Sequence, residues 1–174
     1  MPWIEANGAS LRYTLTGSGK HTLVLVHEAG GCLDSFDEAL PALEKEFRVL
    51  RYDQRGFGFS EKARELTFDG VVADLAALIE VLNISTPVYM AGCAMGADFS
   101  VGYASQHPAR VAKLAIASPN IGHNGARSAG SIVERAQAAF GARCDMVLVC
   151  NDPASADRLL AGLDYRMPAT SLAR

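Results

Sequence analysis

Pro87-Val88-Tyr89-Met90-Ala91-Gly92-Cys93-Ala94-Met95-Gly96-Ala97-Asp98-Phe99 decides how the rest of the chain is read. Residues 87–91 are an apolar run with β-branched and aromatic members, the composition of a strand. Gly92 and Gly96 bracket Cys93-Ala94-Met95, and residues 95–107 then read as a helix. A strand that turns sharply into a helix leaves no room for side chains beside its central residue, here Ala94. A small-residue turn that merely packs a helix on a sheet has the same signature, so the neighbours must decide.

Working outward, residues 111–117 read as the next strand. Upstream, residues 11–15 alternate apolar and polar as a half-buried strand does. The run Thr22-Leu23-Val24-Leu25-Val26 is almost continuously apolar, as in a strand covered on both faces. Gly17-Ser18-Gly19-Lys20 hints at a phosphate loop, but a strand follows it instead of a helix. Ser35 and Glu38 have capping-box spacing ahead of Leu40 and Leu43, and Pro41 must then lie in the first turn. After a short strand at 48–52, Phe68, Val71, Val72, Leu75, Leu78, Ile79 and Leu82 recur at helical spacing. Strands alternating with helices give an α/β fold with a mostly parallel, doubly wound sheet.

Two further segments carry chemistry. His27-Glu28-Ala29-Gly30-Gly31 follows the apolar strand, and Asp53-Gln54-Arg55-Gly56-Phe57-Gly58-Phe59-Ser60 follows the strand at 48–52. The first resembles the H-G-x-G oxyanion loop of the α/β-hydrolase superfamily, and the second resembles its D-x-R-G-x-G-x-S signature. Gly92 to Gly96 resembles the G-x-S-x-G nucleophile elbow, with alanine in the serine position. Order and rough spacing also agree, and residues 3–118 resemble the first half of the fold. The likeness is nearest to small lactone, ester and carbon–carbon bond hydrolases such as the enol-lactonases.

The resemblance implies a role for each matching position. Ala94 occupies the nucleophile seat, and the N–H groups of Met95 and Ala29 would be the oxyanion donors. Main-chain donors survive a change of side chain, so the hole would outlast the loss of serine. Glu28 departs from the pattern, which has glycine there; a carboxylate would bind or repel a substrate group, or be solvated or salt-bridged. Gly30 and His123 are further candidates for the substrate pocket. Arg55 is expected to hold loops together.

The acid and base are harder to find. In this superfamily the triad runs serine, acid, histidine in chain order. His21 opens a strand, His27 belongs to the oxyanion loop, His107 ends the elbow helix, and His123 comes too early. The base is expected beyond Arg174, as in a fragment of something longer, and Asp152 is a weak match for the acid. Cys93, one residue before the apex, is expected to pack rather than attack.

The chain has 174 residues, is 49% hydrophobic and 20% charged, and carries a net charge of −3. Nothing in that balance favours nucleic acid or an anionic membrane surface, and no run approaches the roughly 20 apolar residues of a membrane helix. No signal peptide is read at the start. Cys32, Cys93, Cys144 and Cys150 form no zinc-like spacing and read as buried thiols of a cytoplasmic protein. Residues 1–119 are assigned to the hydrolase core, and 120–174 to a loop and the beginning of a helical cap. Helices are expected at 132–149 and 154–163, with 146–149 the place where a strand competes. The strand at 111–117 is expected to be an unpaired edge, making this chain unstable alone.

The expected function is therefore hydrolysis of an ester, lactone or activated carbon–carbon bond, blocked here by Ala94. The alternatives are a non-catalytic ligand-binding protein on the same fold, or a cofactor-free lyase or oxygenase. The partner in each case is a small carbonyl compound, with no cofactor or metal required. Homo-oligomerisation is left open.

Overall fold

The computed structural model describes residues 2–63 and 65–117, together with the backbone of 145–149. β1 (Trp3–Ala6) and β2 (Ala9–Thr16) form an antiparallel hairpin. Its turn is Asn7-Gly8, with φ of 50° and 70°. Asparagine followed by glycine suits the left-handed pair that a two-residue hairpin turn requires. Then follow β3 (His21–Val26), α1 (Leu40–Leu43), β4 (Phe47–Tyr52) and α2 (Phe68–Val81). The remainder is β5 (Val88–Cys93), α3 (Met95–Gln106), β6 (Val111–Ala117) and β7 (Asp145–Val149).

The seven strands lie in the order β1-β2-β4-β3-β5-β6-β7. β2 pairs antiparallel with β4, while β3 to β7 all run parallel. From β3 the chain moves outward to β4, then crosses back to place β5 on β3's other side. The strand order thus reverses between β3 and β5, and in open α/β sheets ligands bind at the carboxyl ends of the strands flanking such a reversal.

Side-chain alternation in β3 divides the core. Val24 and Val26 face the larger cluster, with Leu75, Leu78, Ile79 of α2 and Ala97, Val101 and Ala104 of α3. Leu23 and Leu25 face the other side, where Leu40 and Leu43 cover them. A strand buried on both faces needs a continuous apolar run, which is what residues 22–26 provide. Thr67 caps α2 by accepting from the Gly70 N–H at 3.1 Å. Among the described residues no helix is long and apolar enough to cross a membrane.

Three expectations are corrected. The helix predicted from Ser35 is a 3-10 turn at Leu33–Phe36 followed by the single turn α1, with Pro41 at its start. Ser35 Oγ accepts from the Cys32 N–H at 3.3 Å and donates to Glu28 Oε1 at 3.0 Å, so it caps no long helix. Residues 145–149 form a strand rather than the end of a helix, because a short apolar, β-branched run fits either state until a neighbouring strand is available. Those residues of the 120–174 segment therefore belong to the sheet. Consequently β6 is paired on both sides and is not an edge.

Candidate active site

Ala94 stands at the apex between β5 and α3 with φ 48° and ψ −118°, a region that L-residues rarely adopt. Its N–H donates to the Ala117 carbonyl at 2.9 Å. Its own carbonyl accepts from Ala97 and Asp98 at 3.0 and 3.3 Å, starting the helix. A Cβ on Gly92 would run into the Gly96 carbonyl and lie 2.6 Å from Ser100 Oγ. A Cβ on Gly96 would strike the carbonyl oxygens of Val26 and His27. Gly92 lets the turn fold on itself, and Gly96 lets α3 press on the end of β3. Ser100 is buried below the apex and donates to the Gly96 carbonyl at 2.7 Å, so its hydroxyl is engaged.

The loop after β3 lies beside this turn. Glu28 to Gly31 form a β-turn closed by the Gly31 N–H to the Glu28 carbonyl at 3.1 Å, with Gly30 at φ 78°. Ala29 is exposed on that turn. Among the described residues, no protein acceptor engages the N–H of Ala29 or of Met95. The Glu28 side chain is half-buried and folds over Gly31, where a Cβ would collide with its carboxylate. His27 is fully buried, and the Gln54 N–H donates to its Nε2 at 3.0 Å. Nε2 is therefore the acceptor, leaving Nδ1 to donate to the Glu28 carbonyl at 2.7 Å. Burial pushes the imidazole's pKa down, which holds this neutral tautomer. With both nitrogens occupied, His27 fastens two loops and is not free to carry protons.

The Asp53 to Ser60 segment is a second knot. Asp53 is fully buried and accepts from the N–H groups of Leu33 at 2.7 Å and Phe59 at 2.8 Å, and from Arg12 at 3.2 Å. Gly58, at φ 49°, would drive a Cβ into that carboxylate. Ser60 Oγ donates to the Asp53 carbonyl at 2.6 Å and accepts from the Arg12 N–H at 2.8 Å. Arg55 grips Asp74 on α2. Its expected role in joining loops to the scaffold is what the geometry shows. Arg12 and Asp74 were not singled out from sequence. A lone aspartate among the apolar positions of α2 is the signal that was available for Asp74.

Cys93 is half-buried, and burial first and the Glu28 charge second push its thiol pKa up. Glu28 takes a hydrogen bond from Ser35 rather than a salt bridge. His107 ends α3 as read, its ring 4.8 Å from that of Tyr103. His123 and Asp152 lie outside the described residues. A cleft lined by Lys20, His21, Arg48 and Tyr89 lies at the amino ends of the strands, the opposite end of the sheet from Ala94.

Comparison with known proteins gives this geometry its relatives. A family model described as alpha/beta hydrolase fold matches residues 21–162. The dihydrolipoyllysine-residue acetyltransferase component of an acetoin cleaving system from Pseudomonas putida is 36% identical over 159 residues, 88% of this chain and 42% of that protein. The enol-lactonase of Burkholderia xenovorans LB400 superimposes with a TM-score of 0.65 at 31% identity, over 68% of this chain and 46% of that one. A hydrolase from Pseudomonas aeruginosa PA01 gives 0.67 at 31%, over 71% and 48%. The chain thus spans less than half the length of each of these relatives. With the family match covering most of its residues and agreeing with the strand order and elbow, the chain belongs to the alpha/beta hydrolase fold family.

Proposed function

We propose that the whole protein binds a small ester, lactone or activated ketone at the elbow, and that with Ala94 in the seat it does not turn that compound over through an acyl-enzyme. The observation that carries this reading is Ala94 itself, held in a strained conformation at a strand-order reversal. Strain there has a use when the apex residue must be presented to a ligand. The Ala29 and Met95 N–H groups are the oxyanion donors, and Gly30 lets the Ala29 turn form. Each donor is worth roughly 3 kcal/mol to a developing oxyanion. Glu28 and His123 are the candidate side chains for contact with the substrate. Alanine offers no Oγ, and losing the serine of a comparable triad lowers turnover roughly a millionfold. Free thiols at Cys32 and Cys93 fit a reducing, cytoplasmic compartment.

The test is hydrolysis of an activated aryl ester and a lactone panel by the full-length protein and its Ala94→Ser variant, with binding measured in parallel. Binding by both and turnover only by Ala94→Ser support the reading. Binding by both without turnover by either supports a ligand-binding protein on the hydrolase fold. Equal turnover by both means catalysis bypasses the elbow, as in a base-driven lyase or oxygenase.

A further inference from the structure

We propose that Glu28 sets the charge selectivity of the carbonyl site, favouring ligands that carry a cationic group near the carbonyl and rejecting those that carry a carboxylate there. The inference rests on the reading of the elbow as that site. Val26 pairs with Gly92 across β3 and β5, so Glu28 and Ala94 each stand two residues past the same rung. Both therefore emerge at the reversal of strand order, one on each side of the crevice.

The carboxylate there is fixed but not neutralised. Ser35 Oγ, an uncharged donor, holds Oε1 at 3.0 Å, and the bare Gly31 backbone makes room for the carboxyl group. Among the described residues no cation pairs with Glu28. Arg12 is shared between Asp34 at 3.3 Å and Asp53 at 3.2 Å, and Arg51 is taken by Asp37 at 2.6 Å. Both arginines are therefore engaged by Asp34, Asp53 and Asp37, and Glu28 is left without an ion pair among the described residues. The neighbouring imidazole of His27 is neutral and contributes no compensating charge. The Glu28 charge is felt at Cys93, next to the apex, where it adds to burial in raising the thiol pKa. A half-buried carboxylate is screened less than an exposed one, so a ligand's charge will register it.

The experiment is calorimetric binding to the full-length protein bearing Ala94, using three probes of similar shape. These are acetylcholine, its neutral isostere 3,3-dimethylbutyl acetate, and the anion 3-acetoxypropionate. Acetylcholine is expected to bind about tenfold more tightly than the neutral ester, a preference of about 1.4 kcal/mol. The anion is expected to bind more weakly than either. The preference should shrink as salt rises to about 1 M, where the screening length falls to about 3 Å. In Glu28→Gln the cation-to-neutral ratio should fall to about one. Neutral binding to the parent without a cation preference overturns the proposal alone. So does a ratio that persists in Glu28→Gln. If none of the three probes binds the parent, the carbonyl-site reading fails and the proposal falls with it.

Discussion

Asp74, in the middle of α2, holds Arg55 with both carboxylate oxygens, Oδ2 to Nε at 2.8 Å and Oδ1 to Nη2 at 2.6 Å. Asn7 completes the arrangement by donating to Oδ1 at 2.8 Å, and its carbonyl accepts from Arg55 at 2.8 Å. One buried carboxylate therefore joins the β1–β2 turn, the loop after β4 and a core helix.

The two partners are unequal, with side-chain exposures of 24% for Arg55 and 1% for Asp74. Removing the arginine strands a charge in the core, whereas removing the carboxylate leaves a guanidinium that can reach water. Arg55→Leu should therefore cost about 3–5 kcal/mol. Asp74→Asn, which keeps a hydrogen-bonding side chain, should cost about 1–2 kcal/mol. Urea midpoints of the full-length protein check this, and a larger loss for Asp74→Asn would contradict the assignment.

The apex strain predicts a stabilising change at the seat itself. Ala94→Gly removes the Cβ from a backbone at φ 48°, which should relieve more than glycine's added freedom in the unfolded chain costs. A net gain of about 1 kcal/mol is expected. Gly96→Ala should do the opposite, losing about 2 kcal/mol or more because its Cβ meets two backbone carbonyls that cannot move independently. Thermal midpoints of the two variants should move in opposite directions.

These contrasts mark where sequence reading reaches and where it stops. The spacing of Val71, Leu75, Leu78 and Ile79, the apolar run at 22–26 and the glycines around Ala94 are local patterns, and each led to the observed element. The Arg55–Asp74 and Arg12–Asp53 pairs join residues 19 and 41 positions apart, separations that no periodicity encodes. The β1–β2 hairpin was missed although Asn7-Gly8 is a turn signal, because residues 3–6 are too short and mixed to stand out. At residues 146–149 the sequence leaves helix and strand both open, because a four-residue apolar run is chosen as strand by its neighbour β6, not by its own pattern.

His27 makes stability fall on acidification. Its folded pKa lies below the ordinary value of 6.5, because burial penalises the charged ring. Below 6.5 the unfolded chain therefore binds a proton that the folded chain does not. The contribution is fully present above that pH and is lost as pH falls, by up to about 1.4 kcal/mol per unit, until the lowered folded pKa is reached. Denaturant midpoints of the parent and His27→Gln between pH 8 and pH 5 should show a steeper decline in the parent. Parallel curves would show that the imidazole is already solvated.

Cys93 is the nucleophilic side chain beside the seat that lacks serine. It lies one residue before the apex, where strand alternation directs its side chain differently from that of Ala94. Reactivity belongs to the thiolate, and both burial and the Glu28 charge oppose its formation. Iodoacetamide should therefore modify Cys93 more slowly at pH 7 than a free thiol, with the rate climbing as pH rises. Glu28→Gln should quicken the reaction at neutral pH only modestly, because burial is the larger cause and is left in place. Intact-mass time courses with peptide mapping would follow the site among the other cysteines. In parallel, Cys93→Ala in the Ala94→Ser background should keep ester turnover within about twofold. A collapse of turnover in that variant, or rapid alkylation at pH 7, would make the thiol a participant and the elbow serine seat secondary.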